Sequence, residues 1–258
     1  MTSIQEILPL ETSGIISLTG AGGKTSLMFS LAHILAGTGK RVLTTTTTKI
    51  FPPFPSQSKT VLIFDSIDKL LIEAGALVQE QKHMTAVAAT IHERDKLKGF
   101  SSGQIHNIHN AGIFDWIIVE ADGAAKKPLK APADHEPVIP ENTTIWIGVV
   151  GLDVVGKPLT ETHTFRSDLI SHRIGLPLGE TILEHHVVSL LMNPYGYLKG
   201  VPPRAYRCIF LNKADTSKAV ESGRKIVDYI RHTGPGKLNA VIIGQAKEGL
   251  MIHDHFSF

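Results

Sequence analysis

The sequence predicts an α/β protein built on a doubly wound, mainly parallel sheet with helices on both faces, a three-layer α/β/α arrangement. Three observations carry this reading. Apolar runs of strand length alternate with amphipathic stretches of helix length along the 258 residues, the pattern of stacked βα units. One run, Trp116-Ile117-Ile118-Val119, is apolar at every position, as a parallel strand covered on both sides must be. The first strand, 15–19, runs into a glycine-rich turn and a helix, and a second strand follows at the distance a βαβ unit needs.

Taken in order, residues 15–19 read as a buried strand. Residues 24–36 read as a helix with Leu27, Leu31, Ile34 and Leu35 on one face, stopped by Gly37 and Gly39. Strand 41–45 follows. Phe51-Pro52-Pro53-Phe54-Pro55 must be loop, since proline neither donates to a ladder nor continues a helix. Strands are expected at 61–64 and 85–89, helices at about 66–81 and at 102–110, and a strand at 116–120. Residues 121–140, with Pro128, Pro132, Pro137 and Pro140, read as loop. Beyond it come a strand at 144–150, helices at 167–174 and 180–191 parted by Gly175 and Pro177, and a connector over 193–203. A strand at 207–211, a helix at 216–231 and a last strand at 240–243 complete the pattern. No repeat or low-complexity linker interrupts it, so residues 1–258 read as a single domain, with 151–203 as a helical insertion.

Bulk properties exclude several classes. A formal net charge of +2 gives no footprint for a nucleic-acid partner. The single cysteine, Cys208, excludes an internal disulfide framework; it sits in an apolar strand pattern and reads as inert core of a protein in a reducing compartment. Neither a signal peptide nor a membrane-spanning run is evident, so a cytoplasmic protein is expected.

The first turn carries chemistry. Gly20-Ala21-Gly22-Gly23-Lys24-Thr25-Ser26 places glycines where the backbone must curl so that successive N–H groups face an anion, and the following helix offers its positive end to the same anion. Lys24 is expected to reach the β- and γ-phosphates and the Thr25 hydroxyl to ligate Mg²⁺. That is the architecture of a phosphate-binding loop, and it predicts a P-loop NTPase-like fold with Mg²⁺ and GTP or ATP as ligands. The loop is a short form, with Leu18 where the longer pattern has its first glycine. Short loops of this kind resemble those of Mur-type ligases and some P-loop GTPases.

Asn212-Lys213-Ala214-Asp215 follows a buried strand and precedes a helix, matching the N-K-x-D pattern that reads guanine. Asp215 would accept from the two guanine donors that adenine lacks, Asn212 would brace the loop, and the Lys213 stem would cover the base. Gly244-Gln245-Ala246-Lys247 resembles the element whose backbone N–H, here that of Ala246, meets guanine O6. Together they favour GTP over ATP. The structural alternative is an aspartate capping a helix.

Glu120 stands at the end of the 116–120 strand, where a Walker-B acid belongs, and Asp122 lies two residues on. Either would hold Mg²⁺, directly or through water, or orient the attacking group. Gly123 follows Asp122 at once and Ala125 replaces the later glycine of a D-x-x-G pattern, which counts against a Ras-like switch. In the threonine run 44–48, Thr47 or Thr48 is placed to contact Mg²⁺ or the γ-phosphate; the alternative is simple β-propensity. Lys49, Lys126, Lys127 and Lys130 would bind an anionic second substrate, or else form a solvated basic loop. His135 is a candidate acid/base group, or else an exposed loop histidine. The pairs His106/His109, His185/His186 and His253/His255 lack a zinc frame and read as surface histidines, the last pair in a mobile terminus.

The G-A-G-G-K-T-S loop, the T-T-T-T-K-I run ending at Ile50, the E-A-D-G-A-A-K-K-P-L-K-A-P segment over 120–132 and the late N-K-A-D resemble the YqeC family, described as selenium-dependent hydroxylase accessory or selenium cofactor biosynthesis proteins. The resemblance spans nearly the whole chain. It implies a role in maturing selenium-dependent molybdenum hydroxylases, with such a hydroxylase or an anionic cofactor precursor as partner. It points to Gly20 and residues 22–25, 46–49, 120–123 and 126–130. Three functions fit: a Mg²⁺-dependent GTPase, NTPase or phosphoryl or nucleotidyl transferase; a nucleotide-gated chaperone or scaffold; and a Mur-like ligase.

Overall fold

The computed structural model describes residues 2–91 and 95–258. The chain runs through α1 (Ile4–Ile7), β1 (Gly14–Gly20), α2 (Lys24–Gly37), β2 (Val42–Thr46), β3 (Lys49–Ile50), β4 (Val61–Ile63), α3 (Ile67–Leu77) and β5 (His83–Val87). It continues through β6 (Ala89–Ile91), β7 (Lys96–Lys98), α4 (Ser102–Asn110), β8 (Trp116–Glu120), β9 (Leu129–Lys130), β10 (Ile145–Gly151) and β11 (Thr164–Phe165). The remaining elements are α5 (Ser167–Ile174), α6 (Glu184–Met192), β12 (Tyr206–Asn212), α7 (Ser217–Thr233), β13 (Ala240–Gln245) and β14 (Met251–Ser257).

A nine-stranded sheet in the order β14-β13-β12-β10-β1-β8-β2-β5-β4 forms the centre. Every neighbouring pair is parallel except β13 and β14. From β1 the chain builds outward to one side through β2, β4 and β5, returns through β8, and then builds the other side through β10, β12 and β13. The winding therefore reverses beside β1, and the carboxyl ends of β1, β8 and β10 open onto the crevice where such sheets bind ligands.

Alternation along the strands sorts the two faces. Ile16, Leu18, Ile118, Ile147 and Phe210 meet Leu27, Met28 and Leu31 of α2. Their neighbours Ile15, Ile117 and Val119 turn the other way, onto Leu70 and Ala74 of α3 and Ile105 and Ile108 of α4. On that second face Trp146, Ile209, Leu211 and Ile243 pack with Ile170, Val187, Leu191, Val227 and Ile230 of α5, α6 and α7. The result is the three-layer α/β/α fold. The stretch 151–203 carries α5 and α6 and shares one core with α7.

Several boundaries differ from expectation for visible reasons. The helix expected from 180 starts at Glu184, because the backbone before it pairs with 156–159: the Leu159 N–H donates to Glu180 O at 2.8 Å and the Ile182 N–H to Lys157 O at 2.8 Å. The strand expected at 85–89 occupies His83–Val87, in register with Val42–Thr44. The strand at 240–243 is not the last. β14 adds an antiparallel edge, so His253 and His255 lie in a paired strand and not in a mobile terminus. Its outward polar residues hide it from an apolar pattern and suit a sheet edge. A three-stranded β3-β7-β6 sheet and the β9/β11 pair were too short to be read from periodicity.

Candidate functional site

The loop after β1 is shaped by its glycines. Gly20, Gly22 and Gly23 have φ of 92°, 86° and 124°, which side chains rarely tolerate. A Cβ on Gly22 would strike the Gly151 backbone, and one on Gly23 the Asn212 amide. Three loop N–H groups serve the scaffold. Gly20 donates to Asp122 Oδ2 at 3.0 Å, Ala21 to Val149 O at 2.8 Å and Gly22 to Lys127 O at 2.9 Å. The expectation that these three N–H groups face an anion is therefore corrected. The N–H groups of Gly23, Lys24, Thr25 and Ser26 donate to no backbone acceptor among the described residues. They gather at the positive end of α2, ready for a phosphate.

Lys24 is buried beneath this loop. Its ammonium donates to Gly20 O at 2.7 Å and lies 3.1 Å from Asp122 Oδ1 and 3.8 Å from Glu120 Oε1. Burial alone would lower its pKa; the Asp122 and Glu120 carboxylates outweigh burial and hold it above the ordinary lysine value. The Thr25 hydroxyl donates to Glu120 Oε2 at 2.7 Å. Burial pushes the Glu120 pKa up, with Lys24 and the Thr25 hydroxyl opposing.

The two acids divide their roles. Glu120 lines a cleft of about 340 Å³ together with residues 22–26. Asp122 does not. It is buried, braces Gly20 and pairs with Lys24 and with Lys130 Nζ at 3.0 Å. The expectation of Asp122 as metal ligand or catalytic acid is corrected: the chain has left strand β8, and its carboxylate faces inward. Lys130 is corrected likewise. It is fully buried and donates to Glu136 Oε2 and Gly123 O, each at 2.6 Å, so it is closed to a second substrate. Glu136 also accepts from Arg166 Nη1 at 2.6 Å and Nη2 at 3.1 Å. Burial would raise its pKa, but Arg166 and Lys130 hold it down to about 2.

Thr48 does not line the cleft; its hydroxyl shares a hydrogen bond with Thr46 at 3.2 Å. Thr46 donates to Glu120 O at 2.6 Å and Thr47 to Val138 O at 2.8 Å. The threonine run staples the end of β2 to its neighbours, and the expected Mg²⁺ contact from Thr48 is corrected. Lys49, Lys126 and Lys127 do line the cleft, with Lys213 and Lys96. Lys96 was missed because only the β3/β7 pairing, which sets Ile50 opposite Leu97, brings it to Phe51 at the cleft.

Among the guanine-reading candidates, Asn212 ties two elements together. Its Nδ2 donates to Gly22 O at 2.7 Å and its Oδ1 accepts from the Ala246 N–H at 3.1 Å. The Ala246 N–H, expected to meet guanine O6, is thus already engaged. Lys213 takes a left-handed φ of 64° and pairs with Asp153 at 2.7 Å. Asp215 is exposed, and the cap of α7 is the Thr216 hydroxyl, not Asp215. Among the described residues no three His, Cys, Asp or Glu side chains assemble as a metal site. No helix among them is long and apolar enough to cross a membrane.

A parallel sheet, a glycine loop at its switch point and free N–H donors above a buried lysine define a class: an α/β protein with a P-loop-like turn. The chain belongs to the YqeC family. The model of that family, described as YqeC protein, matches residues 16–168, a span that holds the loop, both acids and Lys130 and ends before Asn212. The chain is 33% identical over 203 residues to the uncharacterized protein YqeC of Escherichia coli (strain K12), covering 77% of this chain and 75% of that one. Among solved structures it is similar to chloroplast FtsY from Physcomitrella patens, with a TM-score of 0.48 and 11% identity over 97% of this chain and 67% of that one. It is also similar to FtsY from Mycoplasma mycoides, with a TM-score of 0.43 and 11% identity over 98% and 68%.

Proposed function

We propose that this protein binds a Mg²⁺–nucleoside triphosphate, GTP in preference to ATP, and cleaves its terminal phosphate by hydrolysis or transfer. The observation that carries the reading is the set of unpaired N–H groups at residues 23–26 above the buried Lys24 ammonium. Such preorganised donors stabilise the charge that develops on a transferring phosphoryl group. Thr25 and Glu120 offer one hydroxyl and one carboxylate, the sparse donor set that suits Mg²⁺ when phosphates complete its shell. The ion, when bound, would neutralise phosphate charge. Lys24 and the loop then orient the phosphate chain, and Asp122 keeps Lys24 in place.

Preference for guanine rests on Asp215, an exposed carboxylate after Asn212 and Lys213 that does not cap its helix. A place in maturing selenium-dependent molybdenum hydroxylases rests only on what the resemblance to the family implies; the chemistry is supported by the site.

Calorimetric titration with Mg²⁺ and slowly hydrolysed analogues of GTP and ATP tests the reading. Tight binding to the native protein should be lost in Lys24→Ala, with turnover down about a thousandfold, the order expected for removing one preorganised charge. Unchanged turnover in that variant would overturn the proposal. Asp215→Asn should erase the GTP-to-ATP affinity ratio; a ratio left intact would remove the base assignment alone.

A further inference from the structure

We propose that the cleft holds a second ligand beside the triphosphate, a phosphate ester or similar tetrahedral oxyanion, gripped by Lys49, Lys96 and Lys126 around Phe51. The proposal rests on the nucleotide-binding reading above and names the acceptor class for the same site.

The charge balance of the cleft comes first. Lys24 is answered by Asp122 and Glu120, and Lys213 by Asp153. Lys127 Nζ donates to Thr162 O at 2.8 Å. Lys49, Lys96 and Lys126 also line the cleft, yet none has an ion-pair partner among the described residues. Glu120, the one carboxylate among the described lining residues, is engaged by Thr25. A Mg²⁺–triphosphate already has the loop N–H groups and Lys24, so three further cations exceed what it needs.

These cations are gathered at a particular place. The Nζ atoms of Lys96 and Lys126 lie 4.8 Å and 5.0 Å from the centroid of the Phe51 ring, which is 51% exposed. At an exposed site a cation–π contact is weak, and two like charges brought to one ring repel. An anion between them relieves that repulsion. The backbone gives an independent sign. Ala125 and Lys126, neither of them glycine, have successive φ values of 46° and 59°. Left-handed positions of this kind are strained and collect at ligand clamps. This strained turn, closed by the Lys127 N–H on Ala124 O at 2.9 Å, sends Lys126 to Phe51 and Lys127 to Thr162.

The residue types choose the ligand. Lysines act as compact point charges suited to tetrahedral oxyanions; planar carboxylates are better gripped by the arginine fork, and no arginine is among the described lining residues. No histidine is among the described lining residues either, which fits an acceptor that needs no base. An acceptor oxyanion attacks the γ-phosphorus. A new O–P bond forms, the bond to the β–γ bridging oxygen breaks, and its electron pair leaves on the nucleoside diphosphate. No proton has to move, and the lysines offset the repulsion between acceptor and γ-phosphate.

The test is calorimetry on protein saturated with Mg²⁺ and a slowly hydrolysed triphosphate analogue, titrated with inorganic phosphate, glycerol phosphate and succinate. Phosphate and its ester should bind the saturated protein and succinate should not. Lys96→Ala and Lys126→Ala, both at the cleft rim, should weaken phosphate binding at least about tenfold while analogue affinity stays within about twofold. The proposal is overturned if the saturated protein takes up no phosphate or ester, if succinate binds as well as phosphate, or if the two variants lose analogue affinity as much as phosphate affinity. Failure of the analogue to bind the native protein is a different result: it removes the nucleotide reading first, and this proposal with it.

Discussion

Two sets of lysines, both drawn in part from the segment after β8, are used in opposite ways. Lys24 and Lys130 are buried in a chain of alternating charge, Lys24–Asp122–Lys130–Glu136–Arg166, that runs from the phosphate loop toward the 151–203 stretch. Lys49, Lys96 and Lys126 stand at the rim of the cleft with no carboxylate partner among the described residues. In the interior every charge must be matched, because an unpaired ion there costs several kcal/mol. At the rim water screens the mismatch, and unpaired charge can be kept for a ligand. The interior set builds the loop; under the proposal above, the rim set recognises what enters.

The largest effect that separates the two regions is expected at Lys130. Lys130→Ala leaves Asp122 and Glu136 buried with one cation fewer and should cost about 3–5 kcal/mol of stability. The same change at Lys96 should stay within about 0.5 kcal/mol. Urea denaturation of both variants measures the difference. Equal midpoints would mean that the buried chain is no more structural than the rim. Lys130→Met, which keeps much of the volume, should be milder than Lys130→Ala if charge and cavity both contribute.

How much of this was legible in the sequence depends on where each decision is made. The loop, its strand and its helix are local, and the strand-end Glu120 and loop-bracing Asn212 follow from their places in their strands. Glu120 and Asp122 could not be told apart, because a period of two puts them on one side of a strand, and the strand stops between them. Lys126, Lys127 and Lys130 look alike in a run. What separates them is two left-handed residues, a two-residue β9, and partners at Glu136 and Arg166 that become neighbours only in the folded chain. Lys96 depends on a pairing of two- and three-residue strands that no periodicity announces.

Acid should draw the next distinction. Glu136 has its pKa lowered from 4.5 to about 2. Its stabilisation is complete above pH 4.5 and is lost as pH falls toward 2, at most about 3 kcal/mol. His83, packed against α2 beside Phe29 and His33, has its pKa lowered by burial from 6.5 to about 4. The unfolded chain therefore binds more protons between those values, and stability falls as pH drops from 6.5 toward 4, again by at most about 3 kcal/mol. The two windows barely overlap. In His83→Gln the loss between pH 6.5 and 4.5 should shrink, the remainder belonging to His186, while the loss below 4.5 persists, shared by Glu136 with Asp115 and Glu161. A His83→Gln profile that falls from pH 6.5 as steeply as the native one would place the titrating group elsewhere.

The smallest effect is expected where the two regions meet, at the half-exposed pair of Lys213 and Asp153, 2.7 Å apart with side chains 36% and 47% exposed. Exposed pairs contribute about 0–1 kcal/mol, so Asp153→Asn should move the urea midpoint little. Lys213 also lines the cleft, and the substitution would release it to join the rim set. Affinity for the triphosphate analogue should then rise by a small factor at low ionic strength, and the gain should fade as salt is raised. A large loss of stability with no salt-dependent gain would instead put Lys213 with Lys24 and Lys130, among the charges that hold the site together.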